Sequence, residues 1–413
     1  MKVLLANTFD TEGGAARAAY RLHKGLQQIG TESNLLVQQK SSTDQSVHGP
    51  PSKIERAFPK IWTSIDRIPL FLYPRRQKVS FSPAIAPGRL LAEIQRRPAE
   101  IVHLHWITDG FLKIEALSKI KQPIIWTLHD MWAFTGGCHT DQQCGLYRQS
   151  CGNCPLLKSH KNKDLSSHTL NRKIKYWKNL NLTIVTPSKW LSKCAINSSL
   201  FSNYRIETIP NGLDLSVYKP INKKICRQIL NLPTDKKIIL FGSMGITFDK
   251  NKGFQLLQPA LNKFALNGWK NNAIAICFGS SEPLNPPDMG IPILYYDRLH
   301  DDIALSIILS AADIVIVPSL QENLPNTIME AMACATPVAA FNIGGIPDLI
   351  THKKNGFLVT PFDIDQLAYG IDWILKDTER WNSLSRASRK KIEQNYEIST
   401  IAHRYMKLYE SVL

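Results

Sequence analysis

Two carboxylates with seven residues between them stand out in the stretch Pro318-Ser319-Leu320-Gln321-Glu322-Asn323-Leu324-Pro325-Asn326-Thr327-Ile328-Met329-Glu330-Ala331. A short β-branched run, Ile314–Val317, precedes it and reads as a strand. Pro325 suits the first turn of a helix, which would place Glu330 in its second turn. One carboxylate, Glu322, then sits on a loop and the other on a helix. Asn323, Leu324 and the unpaired N–H groups of the helix start lie between them. Such an array can hold a nucleotide sugar lengthwise: hydroxyls at the two carboxylates, a diphosphate on the N–H groups. Paired carboxylates also suit a hydrolase, but the spacing marks no general acid. A helix-surface position is the plain alternative for Glu330, and its neighbours Ala331, Met332 and Ala333 argue against full exposure.

Other residues follow strand-like runs in the same way. Phe241-Gly242-Ser243 ends one run, and Lys252-Gly253 opens the next helical stretch. An ammonium beside a helix start suits a diphosphate, because charge and dipole act together. An ordinary exposed lysine fits the same residues. Gly13 and Gly14 stand at the turn from the first run into a helix, where backbone can approach a ligand closely. A tight turn without a ligand is equally consistent. The three-glycine dinucleotide pattern is absent. Ile124–Leu128 ends in His129-Asp130, and His129 could bind or polarise a sugar hydroxyl. His105 ends another run and is a weaker candidate, and His103 reads as structural. Cys138, Cys144, Cys151 and Cys154 are spaced x5, x6 and x2. Four thiolates so spaced can close a structural zinc site. Four reduced thiols are the alternative, and His139 is another candidate ligand.

These residues need elements to position them. Short apolar runs alternate with helical stretches along the chain. In the first half the runs are Val3–Ala6, Ser33–Val37, Ile101–His105, Ile124–Leu128, Thr183–Thr186 and Ile206–Ile209. In the second half they are Lys237–Phe241, Ala273–Phe278, Ile293–Tyr295, Ile314–Val317, Val338–Phe341 and Phe357–Val359. Ala15–Ile29, Phe254–Asn267, Asp302–Ala311 and Asn326–Ala333 read as helices between them. The alternation predicts an α/β chain with two doubly wound parallel sheets, divided within Pro210–Pro233. The tail Ile364–Leu413 reads as helical throughout. Ligands in such sheets bind beyond the carboxyl ends of the strands, where these residues fall. Residues 40–100, rich in proline and aromatics, predict a long excursion with a role of its own.

The chain has 413 residues, 44% apolar and 20% charged, which excludes disordered and collagen-like classes. No run of 18 uncharged apolar residues occurs, since Asp313 interrupts the longest, Ile303–Leu320. Val3–Ala6 is too short for a signal-peptide core, so a cytoplasmic setting is expected. The net charge is +16. Lys53–Lys78 holds seven basic residues against Glu55 and Asp66, interleaved with Phe58, Trp62, Phe71 and Tyr73. Lys158–Lys178 holds seven against Asp164 alone. No nucleic-acid-binding signature accompanies either window, so nucleic acid is not expected as a partner. The first window suits reversible docking on an anionic membrane surface.

Taken together, Glu322-x7-Glu330, Lys252-Gly253, Ile209-Pro210-Asn211-Gly212-Leu213-Asp214, Gly344-Gly345-Ile346-Pro347-Asp348 and Asn355-Gly356-Phe357-Leu358-Val359 resemble glycosyltransferase family 4. The resemblance runs from residue 1 to 413. Trp126-Thr127-Leu128-His129-Asp130 and the Cys-rich loop resemble its colanic-acid-type exopolysaccharide branch. The resemblance implies the GT-B fold, two facing Rossmann-like domains with a deep interdomain cleft. Residues 1–210 would bind the acceptor and 211–395 the donor. A C-terminal helix, 396–413, would pack back toward the first domain.

The implied activity is retaining transfer of a sugar from a nucleoside diphosphate sugar, UDP or GDP type, to a saccharide acceptor, with no metal cofactor in catalysis. The acceptor would be lipid-linked, on a polyprenyl diphosphate, in exopolysaccharide, capsule or O-antigen synthesis. The enzyme would lie on the inner face of the plasma membrane. Carried over, Glu330 would bind the donor ribose, Glu322 the donor sugar, Lys252 the diphosphate and His129 the sugar end, with Gly14 near the phosphates. The family usually has an arginine where this chain has Ser243 and Met244, so diphosphate binding would rest on Lys252 and backbone N–H groups, or Lys250 would assist. A nucleotide-sugar epimerase of the same fold, or a silent nucleotide-sugar-binding protein, are the competing readings.

Overall fold

A computed structural model describes residues 1–52, 55–242, 249–297, 299 and 301–413. The chain forms two compact units: Met1–Asn211 with Ile401–Leu413, and Gly212–Thr400. The sequence reading divided it at 210/211 and at 395/396.

The first unit is built on a seven-stranded sheet. Its strands are β1 (Lys2–Phe9), β2 (Glu32–Gln39), β3 (Val47–His48), β4 (Ile101–Leu104), β5 (Ile124–Thr127), β6 (Leu182–Thr186) and β7 (Arg205–Thr208). Their spatial order is β3-β2-β1-β4-β5-β6-β7, and every pair is parallel. Alternate residues of β1 bury on opposite faces. Val3 and Leu5 join a cluster with Ile401, Ala402, Tyr405, Leu408 and Tyr409, while Leu4 and Ala6 join one containing Trp126, Phe134 and Trp177. Helices on both faces are what let the strands read as unbroken apolar runs.

The second unit carries six parallel strands: β8 (Lys237–Gly242), β9 (Ala273–Phe278), β10 (Ile293–Tyr296), β11 (Ile314–Val317), β12 (Val338–Phe341) and β13 (Phe357–Val359). The order is β10-β9-β8-β11-β12-β13. From β8 the chain winds outward through β9 to β10, then crosses back to β11 and winds the other way. The switch point therefore lies between β8 and β11, and in the first unit between β1 and β4. Crevices at such points are where doubly wound sheets take ligands.

Four strands and two helices of the second unit have the predicted bounds, among them the helix Asn326–Ala333. The predicted helix Phe254–Asn267 stops sooner, at Phe264. Gly268, at φ 91°, breaks helical geometry in the wider turn that follows. The two-residue β3 had no readable pattern. The 40–100 excursion contains a helix at Phe58–Arg67, a 3₁₀ turn at Ile68–Leu72 and a helix at Leu90–Gln95. The tail forms three helices, Ile364–Leu375, Thr378–Asn395 and Ile398–Glu410.

Asp313, the charge that interrupts the longest apolar run, is the electrostatic anchor of the second unit. Its carboxylate accepts from Arg227 Nη2 at 2.6 Å, Lys223 Nζ at 2.8 Å and the Ile238 amide at 2.7 Å. Burial raises its pKa, but Lys223 and Arg227 outweigh that and hold it below the ordinary carboxylate value. The cluster ties the helix Lys223–Ile229 to the starts of β8 and β11. Removing one partner of a buried ion pair strands the rest, at a cost of about 3–5 kcal/mol. Asp313→Ala is therefore expected to lower unfolding free energy by that order in a urea titration. An effect below about 1 kcal/mol would show that the cluster is not an anchor.

Candidate active site

Three loops leave the carboxyl ends of neighbouring strands in the second unit. Asp249–Gly253 belongs to the connection after β8, Pro318–Pro325 follows β11, and Asn342–Gly345 follows β12. Two glycines let them close on one another. Gly253 has φ 72°, and a Cβ there would stand 1.7 Å from the Pro318 carbonyl oxygen. Gly344 has φ 51°, and a Cβ there would stand 1.8 Å from the Glu322 carbonyl oxygen. The contacts are sealed by backbone bonds. Leu320 N–H donates to Asn251 O at 2.7 Å, and Gly345 N–H donates to Glu322 O at 3.2 Å.

The result is an ion pair between residues 70 apart in sequence: Lys252 Nζ lies 2.7 Å from Glu322 Oε1. The Ser319 hydroxyl donates to the same oxygen at 3.0 Å. The Glu322 carboxylate holds the Lys252 ammonium above the usual lysine value, against a burial that lowers it. The sequence reading gave these two residues separate ligand roles, and the structure joins them. Glu330 lies on the helix Asn326–Ala333 and is only 3% exposed. The helix start has no side-chain cap. Asn323 is partly exposed on the loop, whereas Leu324 is packed into the core. Gly242 is required by a neighbouring strand: a Cβ there would meet the Phe278 carbonyl oxygen at 2.3 Å. Lys250 is exposed one residue before Asn251. Ser243 and Met244, where the family's arginine would stand, lie outside the described residues.

In the first unit, Gly13 has φ 90°, with nothing within 4 Å of where a Cβ would point. Gly14 begins the helix Gly14–Gln28, which also has no side-chain cap. The loop ahead of them is anchored by Asp10. Its carboxylate accepts from the Ser41 and Ser42 amides at 2.9 and 2.7 Å, and from the Ser41 hydroxyl at 2.8 Å. His129 follows β5, with its Nε2 2.9 Å from His105 Nδ1. Burial pushes the His129 pKa down to about 4, against an upward pull from Asp130, so the ring is neutral at pH 7. Asp130 is taken up internally. It accepts from Trp132 N–H, from Trp106 Nε1–H at 2.7 Å and from His139 Nδ1 at 2.6 Å.

Among the described residues, no group of three or more His, Cys, Asp or Glu side chains is arranged to hold a metal ion. Zinc binding by Cys138, Cys144, Cys151 and Cys154 is therefore a proposal carried by their spacing alone. Cys138 and Cys154 bury in an apolar cluster with Leu70, Phe81, Leu156 and Leu157, while Cys151 packs against the cluster around Trp126. Burial raises all four thiols above the ordinary value, and neighbouring cysteines add to the rise at Cys138, Cys144 and Cys151. His139 bonds to Ser82 and Asp130. The loop is braced by Lys173, which the sequence reading missed. Its buried ammonium donates to the carbonyls of Trp132 and Thr135 and lies 3.9 Å from the centre of the Trp132 ring. Only its place among Trp132 and Trp177 in the fold reveals that role.

Two doubly wound parallel-sheet units are the architecture of the GT-B fold. The comparisons agree. The family model described as Glycosyltransferase Family 4 matches residues 12–217, and that described as Glycosyl transferases group 1 matches 296–391. The chain belongs to the GT-B glycosyltransferases of family 4. It is 25% identical to an uncharacterized glycosyltransferase of Methanocaldococcus jannaschii, over 76% of this chain and 83% of that one. It is 24% identical to the D-inositol 3-phosphate glycosyltransferase of Mycobacterium tuberculosis, over 71% of this chain but only 58% of that protein's length. Among solved structures, HepE of Anabaena, in complex with UDP-glucose, matches with a TM-score of 0.66 at 16% identity, covering 100% of both chains.

The loop contacts generate a test. All three glycines have positive φ, but Gly253→Ala and Gly344→Ala also drive a Cβ into a backbone carbonyl, whereas Gly13→Ala adds only the backbone strain. Chemical denaturation should show the first two losing about 1–3 kcal/mol or more and Gly13→Ala losing less. Equal losses at all three positions would mean that the loops do not depend on close approach.

Proposed function

We propose that this transferase moves a sugar, with retention of configuration and without a catalytic metal, from a nucleoside diphosphate sugar of UDP or GDP type to a saccharide acceptor. The observation that carries this reading is the Lys252–Glu322 pair at the β8/β11 switch point, with buried Glu330 on the adjoining helix. An ammonium has three donors. One reaches Glu322, so the others can meet the diphosphate while Glu322 accepts from a hydroxyl of the donor sugar. Glu330 takes the ribose hydroxyls. As the glycosidic bond to the diphosphate breaks, negative charge grows on the leaving group. Lys252 and the N–H groups of the helix start then stabilise it more strongly than in the ground state, the term expected to be largest. Lys252 supplies the positive charge that a metal would otherwise bring. His129, neutral and hydrogen-bonded, serves a sugar hydroxyl. The UDP-glucose held by HepE supports a uridine donor.

The acceptor we assign is a saccharide on a polyprenyl diphosphate, in the synthesis of exopolysaccharide, capsule or O-antigen. The protein would reach it as a peripheral protein on the inner face of the plasma membrane. No helix among the described residues is long and apolar enough to cross a membrane. The support is the excursion of the first unit. Phe71 and Leu72 are 77% and 80% exposed, and Ile61 and Ile68 are about half exposed. Lys60, Arg67, Arg75 and Lys78 are exposed beside them. Apolar side chains ringed by cations suit an anionic bilayer. Two aromatics named in the sequence reading are otherwise engaged. Trp62 stacks on Phe58 and packs against Gly110. The Tyr73 hydroxyl accepts from Leu165 N–H at 2.9 Å. Arg76 donates to the Leu70 and Tyr73 carbonyls, and Lys53 lies outside the described residues.

Two outcomes are expected. In a transfer assay with a donor found by nucleotide-sugar thermal-shift screening, Glu330→Ala should weaken donor binding on the order of tenfold. Glu322→Ala should lower turnover on the order of a hundredfold. Negligible effects of both would remove the site assignment. In vesicle sedimentation, the protein should bind liposomes containing anionic lipid, less so at high salt. The variant Phe71→Ser, Leu72→Ser, Arg75→Glu should lose that binding. Binding unchanged in the variant, or absent in the wild type, would point to a soluble acceptor.

A further inference from the structure

The first unit contains a row of polar groups of which only His129 has a part in the transfer reading. His103 and His105 alternate along one strand and its end, and Thr127 and His129 alternate along its neighbour. All four therefore share one face of the sheet. The C-terminal segment covers the row. His103 Nδ1 lies 2.7 Å from the Tyr409 hydroxyl and its Nε2 2.8 Å from the Thr127 hydroxyl. That hydroxyl in turn lies 2.8 Å from Tyr405 Oη. Both nitrogens of His103 are thereby satisfied.

His105 is different. It is buried, and its ring centre lies 4.3 Å from that of His103. Its Nδ1 faces His129 Nε2 at 2.9 Å, while its own Nε2 meets no hydrogen-bond partner among the described residues. Its backbone is fixed on both sides: His105 N–H donates to Ala6 O, and Trp126 Nε1–H donates to His105 O, each at 2.9 Å. The ring cannot turn to seek another partner without abandoning His129.

A neutral imidazole carries one proton on one of its two nitrogens. A proton on His105 Nε2 would leave a buried N–H with no acceptor, and buried orphan N–H groups are rarer than under-used acceptors. It would also set two lone pairs against each other in the His105–His129 contact, unless His129 supplied the proton. With the proton on His105 Nδ1, the contact is a hydrogen bond and only an acceptor goes unused. We infer that His105 is a positioning residue: it donates from Nδ1 to His129 Nε2 and so fixes His129 as the tautomer protonated on Nδ1. The lone pair of His129 is then occupied. With Nε2 so engaged, His129 has no lone pair left to act as a general base.

This inference rests on the reading above for the role of His129, but its first test does not. The test is imidazole nitrogen NMR on the full chain carrying isotope-labelled histidine, with His129→Gln used for assignment. The expected spectrum shows His129 protonated on Nδ1 and bare on Nε2. His105→Phe should release that preference, and His105→Asn, whose amide N–H stands near the position of Nδ1, should restore it. Transfer should follow: kcat/KM falls on the order of tenfold in His105→Phe and recovers in His105→Asn. A wild-type His129 protonated on Nε2 overturns the inference. So does a His105→Phe variant that is folded and leaves the His129 signals unchanged. Should the tautomer be as inferred while His129→Ala keeps full transfer, it is the substrate role of His129 that fails.

Discussion

Close contact of three backbone loops at the carboxyl edge of the second sheet is the constraint on which the candidate site depends. Lys252 and Glu322 come from different strands, and neither loop is regular structure. They meet because Gly253 admits the Pro318 carbonyl and Gly344 admits the Glu322 carbonyl. A Cβ at either glycine would overlap that carbonyl oxygen and force the loops apart. The parallel sheet beneath supplies the rest, since β8, β11 and β12 are neighbours and end at the same edge.

The electrostatics follow from that packing. A lysine brought this far out of water would ordinarily lose affinity for its proton. Glu322 reverses the direction, so the cation persists at neutral pH. The site thus holds a charged group whose other donors can serve an anionic ligand. In the first unit the histidines at the same kind of edge are neutral. Burial keeps His103, His105 and His129 below the ordinary imidazole value, and hydrogen bonds rather than ion pairs fix their geometry.

Much of the fold was legible because strands buried on both faces are written as apolar runs. Ala273–Phe278, Ile314–Val317, Val338–Phe341 and Phe357–Val359 have the bounds their residues suggest. Glu322, Glu330, Lys252 and His129 were legible as candidates from their places after strands. Their partners were not. The Lys252–Glu322 pair spans 70 residues, the His103–Tyr409 bond 306, and nothing local in the sequence encodes either. Spacing says how the four cysteines are distributed along the chain, whereas packing alone shows that their thiols lie within electrostatic reach of one another. In the excursion, composition located the exposed apolar surface, but only packing shows that Phe71 and Leu72 present it and Trp62 and Tyr73 do not.

The central claim is that Lys252, held charged by Glu322, binds the diphosphate of the donor. Titration calorimetry of UDP and GDP against the wild type and Lys252→Met addresses it directly, with folding of both proteins checked by circular dichroism. At least one nucleotide should bind the wild type saturably, and the substitution should weaken it tenfold or more, about 1.4 kcal/mol. Equal affinity in the two proteins, or no binding of either nucleotide to the folded wild type, would contradict the account.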